Sequence, residues 1–430
     1  MRDPLKNLMN RLPFKISLRD KLTGDILWNF ISFGIIAVNG IILNLLIVSM
    51  YDSAALGLFN QVYAVFIILS QLAVNGLHFS VLRTVSLGGT QKELALSFTS
   101  ALVLAGLIPL AVIALVFPLV NQASLVFDSV FMTQGIKLVL PGLLFFSLNK
   151  VILAFLNGQR RMKLYAVYQT LRSLFLLAFL LLHAWLIHDG NTITMIFTLS
   201  EGLVFICLIP VVFRNISIRF NRDFLKTAQA HFLYGLKATG GNILLELNTK
   251  LDVLILGLFV SDSQVGIYSF AALFIEGFMQ LPVIIRNNIN PLLATKYHQP
   301  DLSDFRAFIK KVIRFSYFGF VPLGILGMLA FPLVGLVKTD FSIQLAWLYF
   351  VIMLAGMLTA SGYLPLQMTF NQAGKPGLQS LVLLATTFVL AVFLVTFTAL
   401  FGTLGAALGM GLTYGMQAMI IGFTIKKITT

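Results

Sequence analysis

Three charged residues fall within one strongly apolar stretch of the chain, GNILLELNTKLDVLILGLFV, which runs from Gly241 to Val260. They are Glu246, Lys250 and Asp252. In a helix, Glu246 and Lys250 share one face because they are four residues apart, and Asp252 lies on nearly the opposite face. A charge at the centre of a bilayer costs at least about 2.5–3.5 kcal/mol, so these side chains must face a partner or a water-filled cavity. The stretch therefore predicts a cation that can attract an anion, beside carboxylates that can exchange a proton or a sodium ion.

Two interpretations of Lys250 remain open. In the first, Lys250 lines a cavity and binds an anionic group, which Glu246 helps to release. In the second, the two residues form an i,i+4 ion pair, in the favourable order of Glu before Lys, and hold the helix in place. We favour the first because an ionisable residue inside a membrane is a candidate functional site by default. Asp252 is expected to pair with a neighbouring helix for the same reason.

Further ionisable residues lie inside apolar runs or at their ends, Glu201 among them. Arg172 is about two turns inside its run and is a second candidate ligand for an anion. Lys150 and Arg83 lie near run ends, where long basic side chains extend towards the headgroups, so neither is expected to bind a substrate. The candidate cations are Lys250, Arg172, Lys237 and Arg286. The candidate carboxylates for ion exchange are Glu246, Asp252 and Glu276.

The composition is that of a membrane protein. Of 430 residues, 58% are hydrophobic and only 11% are charged, and the mean hydropathy is +0.92. A soluble protein carries about 25% charged residues, and a single soluble core stops growing at about 250–300 residues. The basic residues behind the net charge of +14 cluster in short loops between apolar runs, which argues against nucleic acid as a partner. A single cysteine, Cys207, and five histidines without ligand spacing predict no metal site.

Apolar runs of about 20 residues, the length that crosses a bilayer, predict an all-α membrane protein with about twelve transmembrane helices. The runs lie at 26–50, 57–82, 94–119, 136–156, 164–186, 193–213, 233–260, 265–286, 311–337, 343–369, 378–401 and 404–425.

Lys and Arg residues are distributed unequally between the two sides of the predicted membrane. The connections after odd-numbered helices contain only Lys338, whereas those after even-numbered helices are basic. The positive-inside rule therefore places both termini in the cytoplasm. The predicted units are a basic cytoplasmic segment at 1–25, either amphipathic or disordered, an N-terminal lobe of six helices at 26–213, a cytoplasmic linker at 214–232, a C-terminal lobe of six helices at 233–425 and a cytoplasmic tail at 426–430.

The two halves of the chain resemble each other. LGLFNQVYAVFIILSQL at Leu56–Leu72 is similar to VGIYSFAALFIEGFMQL at Val265–Leu281, and a shift of 209 residues places Gly57 on Gly266. A second pair of similar segments is LNGQRRMKL at Leu156–Leu164 and NQAGKPGL at Asn371–Leu378. Both pairs lie six helices apart on the same side of the membrane, as in a parallel repeat. Such a repeat relates two six-helix lobes by a pseudo-two-fold axis along the membrane normal, with the substrate between lobes that rock against each other.

Two segments carry a resemblance to a known family. YDSAALGLFNQVYAVFIILSQLAVNGLHFSVLR resembles the first and second helices of bacterial polysaccharide transporters. NTKLDVLILGLFVSDSQVGIYSFAALFIEGFMQLPVIIRNNINPLL resembles their seventh and eighth helices, with Asp252, Gly266, Tyr268, Pro282 and Pro291 in the expected order. Nearly the whole chain after the first 25 residues is thus similar to the multidrug/oligosaccharidyl-lipid/polysaccharide (MOP) exporter superfamily, and within it most similar to the O-antigen flippase type.

The resemblance implies a flippase of the bacterial inner membrane. Such a protein moves an undecaprenyl-pyrophosphate-linked oligosaccharide, the repeat unit of O-antigen in lipopolysaccharide or of another polysaccharide, from the inner to the outer leaflet. The resemblance also implies a V-shaped cavity, lined by helices one, two, seven and eight, in which Lys250 would attract the pyrophosphate. A polymerase and a chain-length regulator of the same pathway are possible partners.

A sugar needs hydrogen-bonding groups in such a cavity. The candidates are Asn29, Asn39, Asn60, Asn75, His78 and Asn242. Each could instead form a hydrogen bond between helices, and for any single residue we favour that interpretation.

The sequence contains no ATPase motif. Transport is therefore expected to draw on a proton or sodium gradient, or on removal of the product, and no cofactor is expected. Two alternative functions belong to other classes of protein. A multidrug or cation antiporter of the same superfamily would exchange cations through acidic residues, but the tenth predicted helix, Ile343 to Thr369, has none. A membrane polysaccharide polymerase, an enzyme, would need a long outer loop rich in Arg and His, and this sequence has no such loop.

Overall fold

The computed structural model describes residues 21–127, 129–215, 217–299, 301–336, 340–341 and 343–429. Of the predicted N-terminal segment, residues 1–20 lie outside the described ranges. The described residues form helices and connecting loops, without strands. The prediction of an all-α membrane protein is confirmed.

Twelve long helices follow one another along the described chain. They are α1 (Lys21–Met50), α2 (Ser53–Val74), α3 (Gln91–Val116), α4 (Met132–Gly158), α5 (Met162–Leu186), α6 (Met195–Asn215), α7 (Phe224–Leu256), α8 (Asp262–Tyr297), α9 (Ser303–Ala330), α10 (Ile343–Ala360), α11 (376–401) and α12 (403–429).

Ten helical stretches within the described residues are long and apolar enough to cross a membrane. One of them, Pro376–Thr429, contains both α11 and α12, which meet at Gly402. Gly402 has φ of 57° and ψ of −135°, a conformation open to glycine, and it lets the chain fold back on itself. Helix α7 is not among the ten, and its sequence contains five charged residues. Counting it gives the twelve helices that the apolar runs predict.

The end of α2 differs from its predicted position. The apolar run continues to residue 82, but α2 ends at Val74 because Asn75 and Gly76 both have positive φ, 44° and 60°. A separate helix, Leu77–Leu87, then continues in a new direction. Close packing accounts for the glycine, since a Cβ on Gly76 would lie 2.7 Å from the carbonyl oxygen of Gly235 in α7.

Helices α7, α8 and α10 also differ in length from the predicted runs. Helix α7 begins at Phe224, inside the predicted linker at 214–232, and α8 continues to Tyr297, eleven residues beyond its predicted end. Hydropathy does not detect these polar extensions. Helix α10 ends at Ala360, and short helical turns replace the rest of its run.

A third repeat appears at equivalent positions of the two halves. Two short 3-10 helices, Phe117–Gln122 after α3 and Phe331–Leu336 after α9, both begin with the sequence FPLV. They are 214 residues apart, the spacing that also relates Leu164 to Leu378. The repeat agrees with two lobes, α1–α6 and α7–α12.

The lobes meet mainly along α2, which packs against both α7 and α8. The internal repeat makes α1 equivalent to α7 and α2 equivalent to α8. A contact of α1 with α8 would therefore be the counterpart of the contact of α7 with α2. Helix α1, however, packs on α5 of its own lobe and scarcely touches α8. The boundary between the lobes is therefore closed on the α2–α7 side and open on the α1–α8 side.

We name the two ends of the molecule by their loops. The basic face carries the loops around Arg160, Arg222 and Lys375, and the neutral face carries the loops around Tyr51 and Ser261.

Candidate functional site

The boundary between the lobes is closed at the neutral face, where the first turns of α2 and α8 cross. Gly57 and Gly266 allow this approach, because a Cβ on either one would collide with a backbone carbonyl of the other helix. The Oγ atoms of Ser53 and Ser263 are 2.7 Å apart, and Gln61 Nε2 donates to Asp262 Oδ1 at 2.7 Å. These contacts join the two lobes directly.

An aspartate caps the start of α2 at the same end. The amide of Ser53 lies 3.0 Å from both carboxylate oxygens of Asp340, and its hydroxyl donates to Oδ2 at 2.6 Å. A carboxylate is favoured at a helix N-terminus, where backbone N–H groups lack partners. The neutral-face contacts thus combine close glycine packing with charge-assisted hydrogen bonds.

Nearer the basic face, the first half of α7 is hydrogen-bonded to the other lobe. His231 is buried between two serines, with 2.7 Å from Nδ1 to Ser80 Oγ and 2.9 Å from Nε2 to Ser97 Oγ. Thr239 Oγ1 donates to Asn75 Oδ1 at 3.1 Å. Asn75, a predicted sugar contact, therefore serves the contact between the lobes, as expected of a polar residue buried between helices.

Lys250 lies between these two groups of contacts and touches both lobes. Its Nζ is 2.6 Å from Glu276 Oε1 on α8, and it lies 5.5 Å from the centre of the Tyr63 ring on α2. The Lys250 side chain is 18% exposed and that of Glu276 is 53% exposed. Glu246 is not the ion-pair partner of Lys250, because α8 brings Glu276 closer than the preceding turn brings Glu246. The self-neutralising pair with Glu246 is therefore not formed.

Asp252 lies two residues after Lys250, on nearly the opposite face of α7, and is buried. Its Oδ2 accepts a hydrogen bond of 3.1 Å from the hydroxyl of Tyr268 on α8, and its Oδ1 accepts one of 2.8 Å from the Val253 amide. A carboxyl group with few donors, inside a protein that spans a membrane, can bind a proton or a small cation. Three or more His, Cys, Asp or Glu side chains do not cluster as metal ligands anywhere in the described ranges.

Arg172 forms an ion pair within the N-terminal lobe. Its Nε pairs with Oε1 of Glu201 on α6, and its Cζ lies 4.7 Å from the centre of the Phe146 ring. Glu201 is almost fully buried, with a side chain 4% exposed, and its Oε2 accepts from Asn149 Nδ2 at 3.0 Å. The Arg172 side chain is 24% exposed, so only part of the guanidinium group is accessible.

Lys150 does not extend to the headgroups, and that prediction was wrong. Its Nζ lies 5.4 Å from the centre of the Phe146 ring, and the side chain is half-buried. Helix α4 is enclosed by α2, α3 and α6, so Lys150 has no route along a lipid-facing surface. The rule for basic residues near helix ends assumes such a route. The sequence feature that could have indicated the buried position of Lys150 is Phe146, one turn earlier, whose ring lies beside Nζ.

The remaining polar candidates divide into paired and unpaired residues. Asn39 Nδ2 donates to the Ser173 carbonyl at 2.7 Å, and Asn60 Nδ2 donates to the Leu56 carbonyl at 3.1 Å, so both serve packing within the N-terminal lobe. Arg286 donates to Gln367 Oε1 at 3.1 Å within the C-terminal lobe. Among the candidate residues, those whose side chains form no hydrogen bond or ion pair within the described chain are Asn29, His78, Lys237, Asn242 and Glu246.

Polar side chains exposed at membrane depth mark a cleft between the lobes. Lys237 and Thr249 of α7 and Glu276 and Gln280 of α8 are exposed. Such groups are not sustainable against lipid, so they face water. All four lie on helices of the C-terminal lobe, and polar groups that face water at membrane depth are expected where a substrate binds between two lobes.

Three solved structures with a similar fold are those of transporters or flippases. The chain is similar to the lipid II flippase MurJ in an inward closed conformation, with a TM-score of 0.74 and 13% identity over 94% of this chain and 90% of that one. It is also similar to a multidrug resistance MATE family transporter in an inward-facing conformation, with a TM-score of 0.69 and 14% identity over 92% and 94%. A third is a MOP superfamily transporter from Pyrococcus furiosus, with a TM-score of 0.63 and 15% identity over 95% and 96%. The protein is a multi-pass membrane protein with the fold of these MOP superfamily transporters.

The sequence assigns the family within that fold. A family model described as polysaccharide biosynthesis protein matches residues 22–277, and the chain belongs to this family. No curated protein matches the chain at a significant level. The predicted resemblance to polysaccharide transporters of the MOP superfamily is confirmed.

Proposed function

We propose that the protein is a flippase that moves an undecaprenyl-pyrophosphate-linked oligosaccharide, the repeat unit of O-antigen or of another polysaccharide, across the bacterial inner membrane. The basic face is the cytoplasmic face, as the positive-inside rule predicts, and both termini lie there. The observation that carries the proposal is Lys250, a cation at membrane depth that contacts both lobes. Its ion-pair partner, Glu276, is more than half exposed, so an anionic headgroup can replace it.

A pyrophosphate cannot cross hydrocarbon without compensation of its charge. The Nζ of Lys250 and the accessible part of the Arg172 guanidinium group supply donors for phosphate oxygens. The glycan then lies in the cleft, and the polyprenyl chain remains in the lipid. The open boundary between α1 and α8 gives the chain a way to pass from the cleft to the bilayer while the headgroup stays inside.

The contacts at the neutral face form the outer gate in this mechanism. In the present conformation the first turns of α2 and α8 are in contact, so the cleft is closed to the outer side. Rocking of the lobes separates Gly57 from Gly266 and breaks the hydrogen bond between Gln61 and Asp262. The hydrogen bonds of His231 near the basic face are also formed in the present conformation, and they break when the cleft opens to that face. Opening of the two ends in turn gives alternating access.

Coupling to a proton or sodium gradient is assigned to Asp252. It is buried at the boundary of α7 and α8, two residues after Lys250. Occupation of Asp252 by a cation changes the charge beside Lys250, so cation binding and headgroup release are linked. Glu246 and Glu276 are less suited, because Glu276 is already paired with Lys250 and Glu246 is only half-buried. A polymerase and a chain-length regulator of the same pathway would receive the flipped product.

The test is a flipping assay with the purified chain in proteoliposomes. The substrate is an undecaprenyl-pyrophosphate-linked disaccharide with a fluorophore on the sugar, and a membrane-impermeant quencher reports which leaflet it occupies. We expect a time-dependent change in the quenched fraction that requires the protein. A second arm replaces the lipid with ethidium. Ethidium transport without movement of the lipid-linked sugar would contradict the proposal and favour a multidrug antiporter, the alternative suggested by the shared fold.

A further inference from the structure

Lys150 is an embedded cation to which the mechanism above gives no role. It lies on α4, eight residues before the helix ends at Gly158, or about 12 Å inside that end at 1.5 Å per residue. Its Nζ lies 5.4 Å from the centre of the Phe146 ring. Among the described residues Lys150 has no hydrogen bond and no ion pair. An ammonium group at this depth needs an anion, and the N-terminal lobe does not provide one in contact.

The charges around Lys150 do not cancel. Arg172 lies over the same ring of Phe146, and its electrostatic effect on Lys150 is repulsive. Glu201, a carboxylate that attracts both cations, is committed to Arg172 and Asn149. Two cations therefore share one carboxylate, which leaves one positive charge in the interior of the N-terminal lobe. Such a site is suited to an anion that can contact both cations.

The second carboxylate that acts on Lys150 belongs to the other lobe. Glu246 of α7 lies within electrostatic range of Lys150 but forms no ion pair with it. Glu246 is half-buried and lies one turn before Lys250, which contacts both lobes. His78 also lies within electrostatic range of Lys150, and its Nδ1 is buried without a hydrogen-bond partner in the described chain. The Lys150 ammonium group and the unpartnered Nδ1 of His78 thus lie in the same region of the protein.

We propose that Lys150 is a second diphosphate-binding residue, on the N-terminal lobe, and that Glu246 on the C-terminal lobe competes electrostatically with the bound diphosphate. This inference rests on the proposed function. Without a ligand, Glu246 attracts Lys150 and holds the lobes together. A diphosphate that accepts hydrogen bonds from Lys150 Nζ and the free guanidinium donors of Arg172 screens that attraction and repels Glu246. Binding of the headgroup therefore weakens the contact between the lobes at the point where they must separate.

Binding of the full-length chain in lipid nanodiscs tests the residue. The probes are undecaprenyl pyrophosphate, inorganic pyrophosphate as a competitor, and nanodiscs with only phosphatidylglycerol as the anionic lipid. Loss of a hydrogen bond to a charged group predicts that Lys150→Gln binds undecaprenyl pyrophosphate about 10- to 100-fold more weakly. Lys150→Arg keeps a cation and is expected to bind within a few-fold of the wild type. If inorganic pyrophosphate displaces the lipid at equal concentration, the site recognises the free diphosphate; if it does not, the site recognises the lipid.

A matched control exists on the same helix. Lys137 also lies over a phenylalanine, with 6.0 Å from Nζ to the centre of the Phe117 ring, but at the opposite end of α4. Lys137→Gln is expected to bind undecaprenyl pyrophosphate as the wild type does. Equal weakening by Lys137→Gln and Lys150→Gln would overturn the inference, since the loss would then reflect net charge alone.

The role of Glu246 has its own test. Glu246→Gln removes the competitor, so we expect it to bind undecaprenyl pyrophosphate several-fold more tightly; weaker binding would overturn the competition. The exchange of Lys150→Glu with Glu246→Lys restores attraction between the lobes, so its melting temperature should be near that of the wild type while diphosphate binding is lost. This variant separates binding from folding, because a wild-type affinity in it would contradict the assignment of Lys150.

The outcomes also distinguish this inference from the proposed function. If the wild type does not bind undecaprenyl pyrophosphate, the proposed function fails and the inference fails with it. If the wild type binds it and Lys150→Gln binds it equally well, the proposed function stands and only the assignment of Lys150 and Glu246 is overturned.

Discussion

Gly57 and Gly266 face each other across the boundary between the lobes in a nearly symmetric manner. A Cβ atom on Gly57 would lie 2.9 Å from the amide nitrogen of Gly266, and a Cβ atom on Gly266 would lie 3.1 Å from the amide nitrogen of Gly57. These two residues are also equivalent in the internal repeat, 209 positions apart. A contact between equivalent residues that is mutual in this way lies on the symmetry axis. The pseudo-two-fold axis therefore passes through the closed neutral-face end of the cleft.

This relationship predicts the effect of adding one methyl group at the axis. Gly57→Ala or Gly266→Ala would place a Cβ against a backbone carbonyl, which cannot rotate away, so α2 and α8 must separate. We expect the outer gate to open in part, at a cost of about 1–3 kcal/mol to the closed conformation. Disulfide formation between Ser53→Cys and Ser263→Cys measures gate closure, because the two Oγ atoms are 2.7 Å apart. The crosslinked fraction should fall when either alanine is added.

A glycine on the same helix provides the control for this experiment. A Cβ on Gly277 of α8 would meet no atom within 4 Å, so Gly277→Ala should leave the crosslinked fraction unchanged. An unchanged crosslinked fraction in Gly57→Ala and Gly266→Ala would show that the glycine contact is not needed for closure. The disulfide itself should block flipping until it is reduced.

The ion pair of Lys250 with Glu276 predicts a second set of variants. Lys250→Ala should abolish flipping with normal expression and membrane insertion, because it removes the cation shared by the two lobes. The exchange of Lys250→Glu with Glu276→Lys tests whether the pair is only structural. Electrostatic attraction is retained in the exchanged pair, but the cation moves from α7 to α8 and away from the Tyr63 ring. We expect flipping to remain lost, as measured in the proteoliposome assay.

Recovery of flipping by the exchanged pair would assign Lys250 to helix packing rather than to headgroup binding. Lys310→Ala is a suitable control for the loss of one basic residue, because Lys310 is exposed at the beginning of α9. It should flip the substrate at the wild-type rate.

The sequence predicts the helices well because bilayer thickness fixes the length of an apolar run and loop charge fixes its direction. It does not predict where a helix lies within a lobe. Helix α4 is enclosed, so Lys150 points into protein rather than to the headgroups. The break at Asn75 and Gly76 was missed because hydropathy alone set the bounds of the run, although the dipeptide Asn-Gly indicates a turn with positive φ.

The candidate site is predictable only in part. Embedded charges identify Lys250, Asp252 and Arg172 directly, because each is costly in lipid. Their ion-pair and hydrogen-bond partners depend on which turns of neighbouring helices lie at the same depth in the membrane. Glu276 is 26 residues from Lys250, whereas Glu246 is four residues away. Local spacing therefore favoured the wrong partner.

The two ion pairs at membrane depth predict different effects on stability. Glu201 is 4% exposed and holds Arg172, whereas Glu276 is 53% exposed and holds Lys250. Breaking a buried pair from one side costs about 3–5 kcal/mol, because the remaining charge stays buried. An exposed pair contributes about 0–1 kcal/mol. Glu201→Ala should therefore lower the melting temperature in detergent far more than Glu276→Ala. Equal shifts would contradict the assignment of the Arg172–Glu201 pair to the lobe interior.

The hydrogen bond from Tyr268 to Asp252 predicts how coupling can be separated from binding. Asp252→Asn removes the group that exchanges a cation but leaves Lys250 in place, so headgroup binding should persist while a gradient no longer drives flipping. Flipping rates in proteoliposomes with an imposed proton gradient, an imposed sodium gradient or neither would identify the coupling ion.

Tyr268→Phe removes one donor to the carboxylate and should change the ion concentration that gives half-maximal rate. Tyr349→Phe is the matched control, because the Tyr349 hydroxyl bonds to Thr403 at 2.5 Å rather than to a carboxylate. Gradient-driven flipping by Asp252→Asn at the wild-type rate would exclude Asp252 as the coupling residue.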